Sequence, residues 1–176
     1  MKKYIVLIWL TALIAVFAVT GCAREPAEPL QAERDLSDID TESVGQEVIT
    51  GDIVWEITEV EDLGNLLTYE GAAGYLEPEL GKFVGITFSI QNTGNDPKVI
   101  YDLTAIDERG RSYSICLAAI AFFSPEQACV LQDILPGVEN TYSATFDVEV
   151  DVNRLVLQVT DLEMPPREVA YIDLGI

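Results

Sequence analysis

The chain has 176 residues, of which 30 are Asp or Glu and 10 are Lys or Arg, giving a formal net charge of −20. A surface this acidic repels nucleic acid and anionic lipid headgroups, and it favours solubility, cations or a basic partner. The sequence contains no histidine, which excludes Ser-His-Asp and Cys-His nucleophile machinery, His-containing zinc sites and the commonest general base. Hydrophobic residues make up 49 % of the chain. That is enough for a real core in a length that suits one domain and a tether.

Residues 1–21 have the build of an export signal. Lys2 and Lys3 form a positive n-region, an apolar run follows from Ile5 to Ala18, and Val19-Thr20-Gly21 leads into Cys22. The last four residues resemble the bacterial lipobox, which implies diacylglycerol on the Cys22 sulfur, cleavage before it and a mature chain beginning there. The alternative is an uncleaved anchor, for which the apolar run is short against the ~20 residues of a spanning helix. Either way the remainder is expected outside the cytoplasm, at the cell membrane or the outer membrane. Ala23 stands where an inner-membrane retention signal would carry aspartate, which favours the outer membrane in a two-membrane envelope.

Residues 22–48 are rich in Pro, Glu, Asp, Ser and Gln and sparse in large apolar side chains. Such a segment cannot bury enough surface to offset its ordering entropy, and repulsion among its carboxylates extends it. It reads as a disordered acidic tether ahead of a domain over 49–176.

From residue 49 the pattern becomes the period-2 alternation of half-buried strands. Ile53, Trp55 and Ile57 share one face; Val84, Ile86, Phe88 and Ile90 share another. Tyr101, Leu103 and Ala105 follow, then Tyr113 and Ile115 after a tight turn at Asp107-Glu108-Arg109-Gly110. Tyr142 to Val150 alternates again, and Leu155, Leu157 and Val159 precede a last short strand at Ile172 and Leu174. Asn92-Thr93-Gly94-Asn95-Asp96-Pro97, Pro136-Gly137, Asp151-Val152-Asn153 and Met164-Pro165-Pro166 supply turns. About seven short strands with turns between them predict an all-β antiparallel sandwich of immunoglobulin-like type. Trp55 is expected in its core. Gly64 to Leu80 reads as a long loop.

Gly81-Lys82-Phe83-Val84 running into Gln91-Asn92-Thr93-Gly94 resembles the core of a domain of unknown function common in bacterial lipoproteins. Leu103-Thr104-Ala105-Ile106-Asp107 with Gly110-Arg111-Ser112-Tyr113, and Leu135-Pro136-Gly137 with Phe146-Asp147-Val148, resemble further pieces of that family in the same order. Leu155–Val159 and Ala170–Leu174 resemble its last strands. The family is similar to the immunoglobulin-like secreted immunoprotective antigen fold of mycobacteria. The resemblance implies a fold and an envelope setting; it implies no catalytic residues and no cofactor. The chain departs from the family pattern between Cys116 and Cys129.

Four candidate sites follow. Cys22 is the lipidation site. With Cys22 lipidated, Cys116 and Cys129 remain as a pair in a disulfide-permissive compartment, closing a loop worth roughly 3 kcal/mol on the chain-entropy model; a thiol-disulfide role is the alternative for the same residues. Leu117, Ile120, Phe122 and Phe123 belong to an apolar run without alternation, which is either an interaction patch or a short lid over one end of the sandwich. Asp147, Glu149 and Asp151 lie at i, i+2 and i+4 of a strand, a row of carboxylates that invites a cation such as calcium. Paired carboxylates for glycoside hydrolysis carry no information among so many acids. The expected function is a non-catalytic, lipid-anchored binding or scaffolding module of the cell envelope, with the membrane and an envelope protein as partners and no nucleic acid. A calcium-responsive surface module is the alternative.

Overall fold

A computed structural model describes residues 36, 39–68, 74–122 and 127–176. The expected signal peptide and Cys22 lie outside the described residues. The seven alternating runs all form strands: β3 (Ile53–Gly64), β6 (Gly81–Asn92), β8 (Thr104–Asp107), β9 (Ser112–Ser114), β11 (Glu139–Glu149), β12 (Leu155–Thr160) and β13 (Val169–Asp173). They arrange as two packed sheets, the sandwich the alternation predicts. One sheet has the order β11-β6-β3-β2, where β2 is Glu47–Thr50, and is antiparallel throughout. The other has the order β1-β13-β12-β8-β9, where β1 is Glu42–Ser43 and runs parallel to β13. Short pairs add β4 (Leu67–Thr68) to β5 (Tyr75–Leu76), and β7 (Lys98–Val99) to β10 (Asp133–Ile134).

The inward faces carry the apolar sets. Ile53, Trp55 and Ile57 of β3, Val84, Phe88 and Ile90 of β6, Phe146 and Val148 of β11, and Leu155, Leu157 and Val159 of β12 are fully buried together. Each such side chain contributes roughly 1.5–3 kcal/mol relative to exposure. Trp55 lies tilted against Phe88 with ring centroids 5.7 Å apart. Its indole N–H reaches Thr50 Oγ1 at 3.1 Å and the Thr160 carbonyl at 3.0 Å, so the core's largest ring keeps its polar atom satisfied and ties the two sheets together. Tyr101, expected on the apolar face beside Leu103, is instead 54 % exposed; the strand starts only at Thr104, so the alternation does not extend back to it.

Order begins earlier than residue 49. Glu47–Thr50 already alternates outward and inward as the edge strand β2, and Glu42 and Ser43 pair with Ile172 and Asp173. Ahead of them Leu36 is buried against Ile106 and Val156, with Ile39 and Tyr171 alongside. These belong to the outer face of the five-stranded sheet, which the N-terminal segment therefore covers. Arg154 holds the segment in place: Nη1 donates to the Leu36 carbonyl at 3.2 Å, Nη2 to Thr41 Oγ1 at 3.4 Å, and Nε to Asp173 Oδ2 at 2.7 Å.

The two sides of the sandwich differ. On one, the chain leaves β9 through Ile115, which bridges Phe146 of β11, so the sheets join. On the other, β2 and β13 lie side by side without such a bridge among the described residues, leaving a seam.

Candidate functional site

The segment between the cysteines builds a cap on the outer edge of β11. Cys116 N–H donates to the Thr145 carbonyl at 2.7 Å, the chain turns through a 3-10 helix at Leu117–Phe122, and on return Ser143 N–H donates to the Gln127 carbonyl at 2.7 Å. Ala119 is fully buried, while Ile120 and Phe122 are half-buried. Leu117 stands 65 % exposed. Phe123 lies outside the described residues. The cap pairs with an edge strand that would otherwise be open, so it is a lid whose one large exposed apolar side chain among the described residues is Leu117.

Cys116 and Cys129 meet the same stretch of β11 but remain free thiols, which corrects the expected disulfide. Ile115 faces the core, so strand alternation turns Cys116 toward the outer face, while Cys129 packs inside the core cluster. Side chains that leave the backbone in opposing directions cannot be bridged without moving it. Burial pushes the Cys129 thiol up to about 11. It is therefore protonated at neutral pH and a poor nucleophile.

The acidic row is likewise divided among protein partners. Asp147 accepts the backbone N–H of Glu79 at 2.6 Å and of Leu80 at 3.2 Å, fastening the approach to β6. Glu149 lies 4.0 Å from Arg111. Asp151 accepts from Arg111 Nη2 at 3.0 Å and also pairs with Arg109. Bonds from Arg111 and Arg109 hold the Asp151 carboxyl below the usual range. Among the described residues no group of three or more His, Cys, Asp or Glu converges as a metal site. The charge of the expected cation row is met by arginines and main-chain amides.

The hairpin turn between β8 and β9 holds a tighter network that the sequence reading treated only as a turn. Asp107 is fully buried and accepts from the N–H groups of Arg109 and Arg111, each at 2.9 Å, from Tyr113 Oη at 2.8 Å and from Arg111 Nε. Burial opposes its charge, but the bonds from Tyr113 and Arg111 prevail and its carboxyl sits below the ordinary range. Every acceptor position is taken by the protein, which makes this a structural clamp. The Asp-Gly-Arg-Tyr spacing was the signal for it.

The surface hollows are shallow. One of about 310 Å³ is lined by Asp40, Glu42, Glu47, Ile49, Val169 and Ala170, among others, along the seam. One of about 480 Å³ is lined by Pro97, Tyr101, Leu162 and Met164 with the Lys98–Glu163 ion pair. Sequence reasoning did not single out the seam, because it assigned residues up to 48 to the tether. The alternation Glu47-Val48-Ile49-Thr50, rich in β-formers, was the available signal.

No family model matches the chain, and no curated protein matches it. Several solved structures do. The yjhA protein of Bacillus subtilis aligns with a TM-score of 0.55 at 12 % identity, over 76 % of this chain and 99 % of that one. A lipoprotein candidate of the same species, ycdA, aligns with a TM-score of 0.51 at 13 % identity, over 77 % of this chain and 39 % of that one. The secreted protein MPT63 of Mycobacterium tuberculosis aligns with a TM-score of 0.48 at 14 % identity, over 78 % and 98 % of the two chains. The first two likenesses establish a shared fold and nothing further.

Proposed function

We propose that this chain is a non-catalytic binding or scaffolding module of the cell envelope, displayed outside the cytoplasm and held at the cell membrane or outer membrane by a lipid on Cys22. The observation that carries the reading is the contrast between a tightly buried two-sheet frame and large apolar side chains left in water at its periphery. Ile49, Leu117 and Leu131 are 66 %, 65 % and 68 % exposed, on segments whose backbone is held by pairing to the frame. Exposed apolar groups on a rigid scaffold are the usual anchors of protein contacts. The leader ending in Val19-Thr20-Gly21-Cys22 supports the setting, and the fold shared with a lipoprotein candidate is consistent with it. A tether between lipid and domain would raise the local concentration of the module at the membrane.

Crosslinking from intact cells tests this, comparing the anchored protein with a Cys22→Ala form. The expected result is a stoichiometric partner recovered with the anchored form, together with loss of membrane association in the variant. Recovery of no enriched partner from either form overturns the binding reading.

A further inference from the structure

Resting on that binding reading, we propose that the seam between β2 and β13 accepts an extended, cationic polypeptide segment by strand addition to β2. The edges of the two sheets are unequal. The edge of β11 is covered at residues 115–116 and 127–128, and β9 runs into that same closure. Among the described residues β1 pairs with Ile172 and Asp173 of β13 alone. Among the described residues no strand pairs with the outer edge of β2.

The main-chain geometry at this edge follows from the register. Thr93 N–H bonds to the Asp52 carbonyl and Gly45 N–H to the Ile57 carbonyl. In an antiparallel ladder this directs even-numbered residues of β3 to β6 and odd-numbered ones to β2. Val48 and Thr50, opposite Trp55 and Ile53, therefore spend their main-chain groups on β3. The N–H and C=O of Glu47 and Ile49 face the seam. On β13, Leu174 N–H bonds to the Leu155 carbonyl, which by the same alternation turns the main-chain groups of Val169 outward as well. The seam has a stop at one end, where Gly51 N–H is taken by Glu168 Oε2 at 2.9 Å.

The side chains specify what fits. Ile49 and Val169 are 66 % and 43 % exposed on the two edges, offering apolar contact to a β-branched residue. Asp40, Glu42 and Glu47 line the hollow, and no lysine or arginine does. Glu47 also lies directly opposite Glu56 across the β2–β3 ladder, an arrangement of like charges that costs stability. Of the six cations among the described residues, Lys82, Lys98, Arg109, Arg111 and Arg154 are engaged in ion pairs elsewhere, and Arg167, two residues before Val169, does not line the hollow. A second copy of β2 would bring Glu47 against more carboxylates, so the edge rejects its own kind. A strand alternating lysine or arginine with valine or isoleucine would supply main-chain bonds, apolar contact and the missing positive charge together.

The test uses the full chain in mild detergent and a labelled decapeptide of alternating Lys and Val. Two control peptides accompany it, one with its central residues replaced by proline and one alternating Glu and Val. Fluorescence anisotropy reads affinity, and hydrogen exchange reads which strands gain protection. The expected result is binding of the Lys-Val peptide with protection at 47–50 and 169–171, no binding of the Glu-Val peptide, and at least about tenfold weaker binding of the proline peptide. Ile49→Pro removes only a seam-facing donor, and the exposed double substitution Glu42→Lys with Glu47→Lys reverses the charge. Each is expected to weaken binding by about tenfold or more. Equal binding of the proline peptide, or protection elsewhere, overturns strand addition. A native partner crosslinked at residues 117–122 alone would leave the binding reading standing and the seam assignment wrong. Seam binding of the probe without any crosslinked cellular partner would do the reverse.

Discussion

At Asp107 two opposing effects meet on one carboxylate. Burial alone would raise its pKa and favour the neutral acid. The bonds from Tyr113, from Arg111 and from the turn amides outweigh burial and lower it. Gly110 adopts a positive φ of 76° that lets the turn bring Arg111 back onto Asp107, a conformation other residues rarely take. Gly81 is constrained differently: a Cβ there would come within 2.6 Å of the Val150 backbone nitrogen, so only glycine lets the ends of β6 and β11 close. Asn92, buried at the far end of β6, donates to the Asp96 and Ile134 carbonyls at 2.8 and 3.0 Å and accepts from Gly94 N–H. Gly81, Asn92, Asp107 and Gly110, which are among the residues that carry the resemblance, are thus fasteners of the fold. A depressed folded pKa makes the Asp107 charge a stabilising contribution that is present above the ordinary carboxylate pKa and is lost as pH falls through the lower folded value. Asp107→Asn is expected to destabilise the domain by about 3 kcal/mol at pH 7. The gap between variant and wild type should narrow as pH drops below about 4. Urea unfolding of both proteins across that range measures it, and a gap that stays constant would mean the charge is not what the clamp uses.

The N-terminal segment acts as a strap at the level of elements. Leu36 is 1 % exposed although it comes from a stretch whose composition reads as tether. One large side chain in the right place, with Arg154 bonding its carbonyl, fastens Leu36 to the sheet, and windowed composition averages that contribution away. Leu36→Ala is expected to cost about 2–3 kcal/mol within this contact. The measurable consequence is faster hydrogen exchange over residues 39–43 with β3, β6 and β11 still protected. Uniform loss of protection would show instead that the strap is integral to the sandwich. The same contrast explains what was legible beforehand. The long central strands announce themselves because each has one buried and one wet face, so β3, β6, β11 and β12 were readable from alternation alone. The cap after Cys116 was visible only as a break in that pattern. The seam was not visible, because it exists only once β2 and β13, far apart in sequence, lie side by side. The cysteine pairing failed for a related reason: spacing gives loop length, whereas bridging depends on which face each side chain leaves from.

Over the whole molecule the excess of carboxylates sets the electrostatic behaviour. On the outer face of the four-stranded sheet Glu47, Glu56, Glu59 and Glu61 follow one another across β2 and β3. Lys82 is paired to Asp62 at the end of that sheet, at 2.9 Å. Mutual repulsion among such groups opposes the compact state, and it weakens when the Debye length shrinks from about 30 Å at 0.01 M salt to about 8 Å at 0.15 M. Added sodium chloride is therefore expected to raise the melting temperature. Calcium is the informative comparison, because Asp147, Glu149 and Asp151 already answer to main-chain amides and to Arg109 and Arg111. A cation bound by that row would have to displace those partners and would stabilise the folded state as a ligand does, in proportion to its concentration over its dissociation constant. With the row occupied, calcium chloride should shift the melting temperature no more than sodium chloride at equal ionic strength. A calcium increment beyond that match, removed by chelator and lost in Asp151→Asn, would restore a specific cation site and show that the arginines yield to it. Equal shifts assign the acidity to general repulsion, which leaves Asp40, Glu42 and Glu47 at the seam, which make no ion pair among the described residues, to attract a cationic partner.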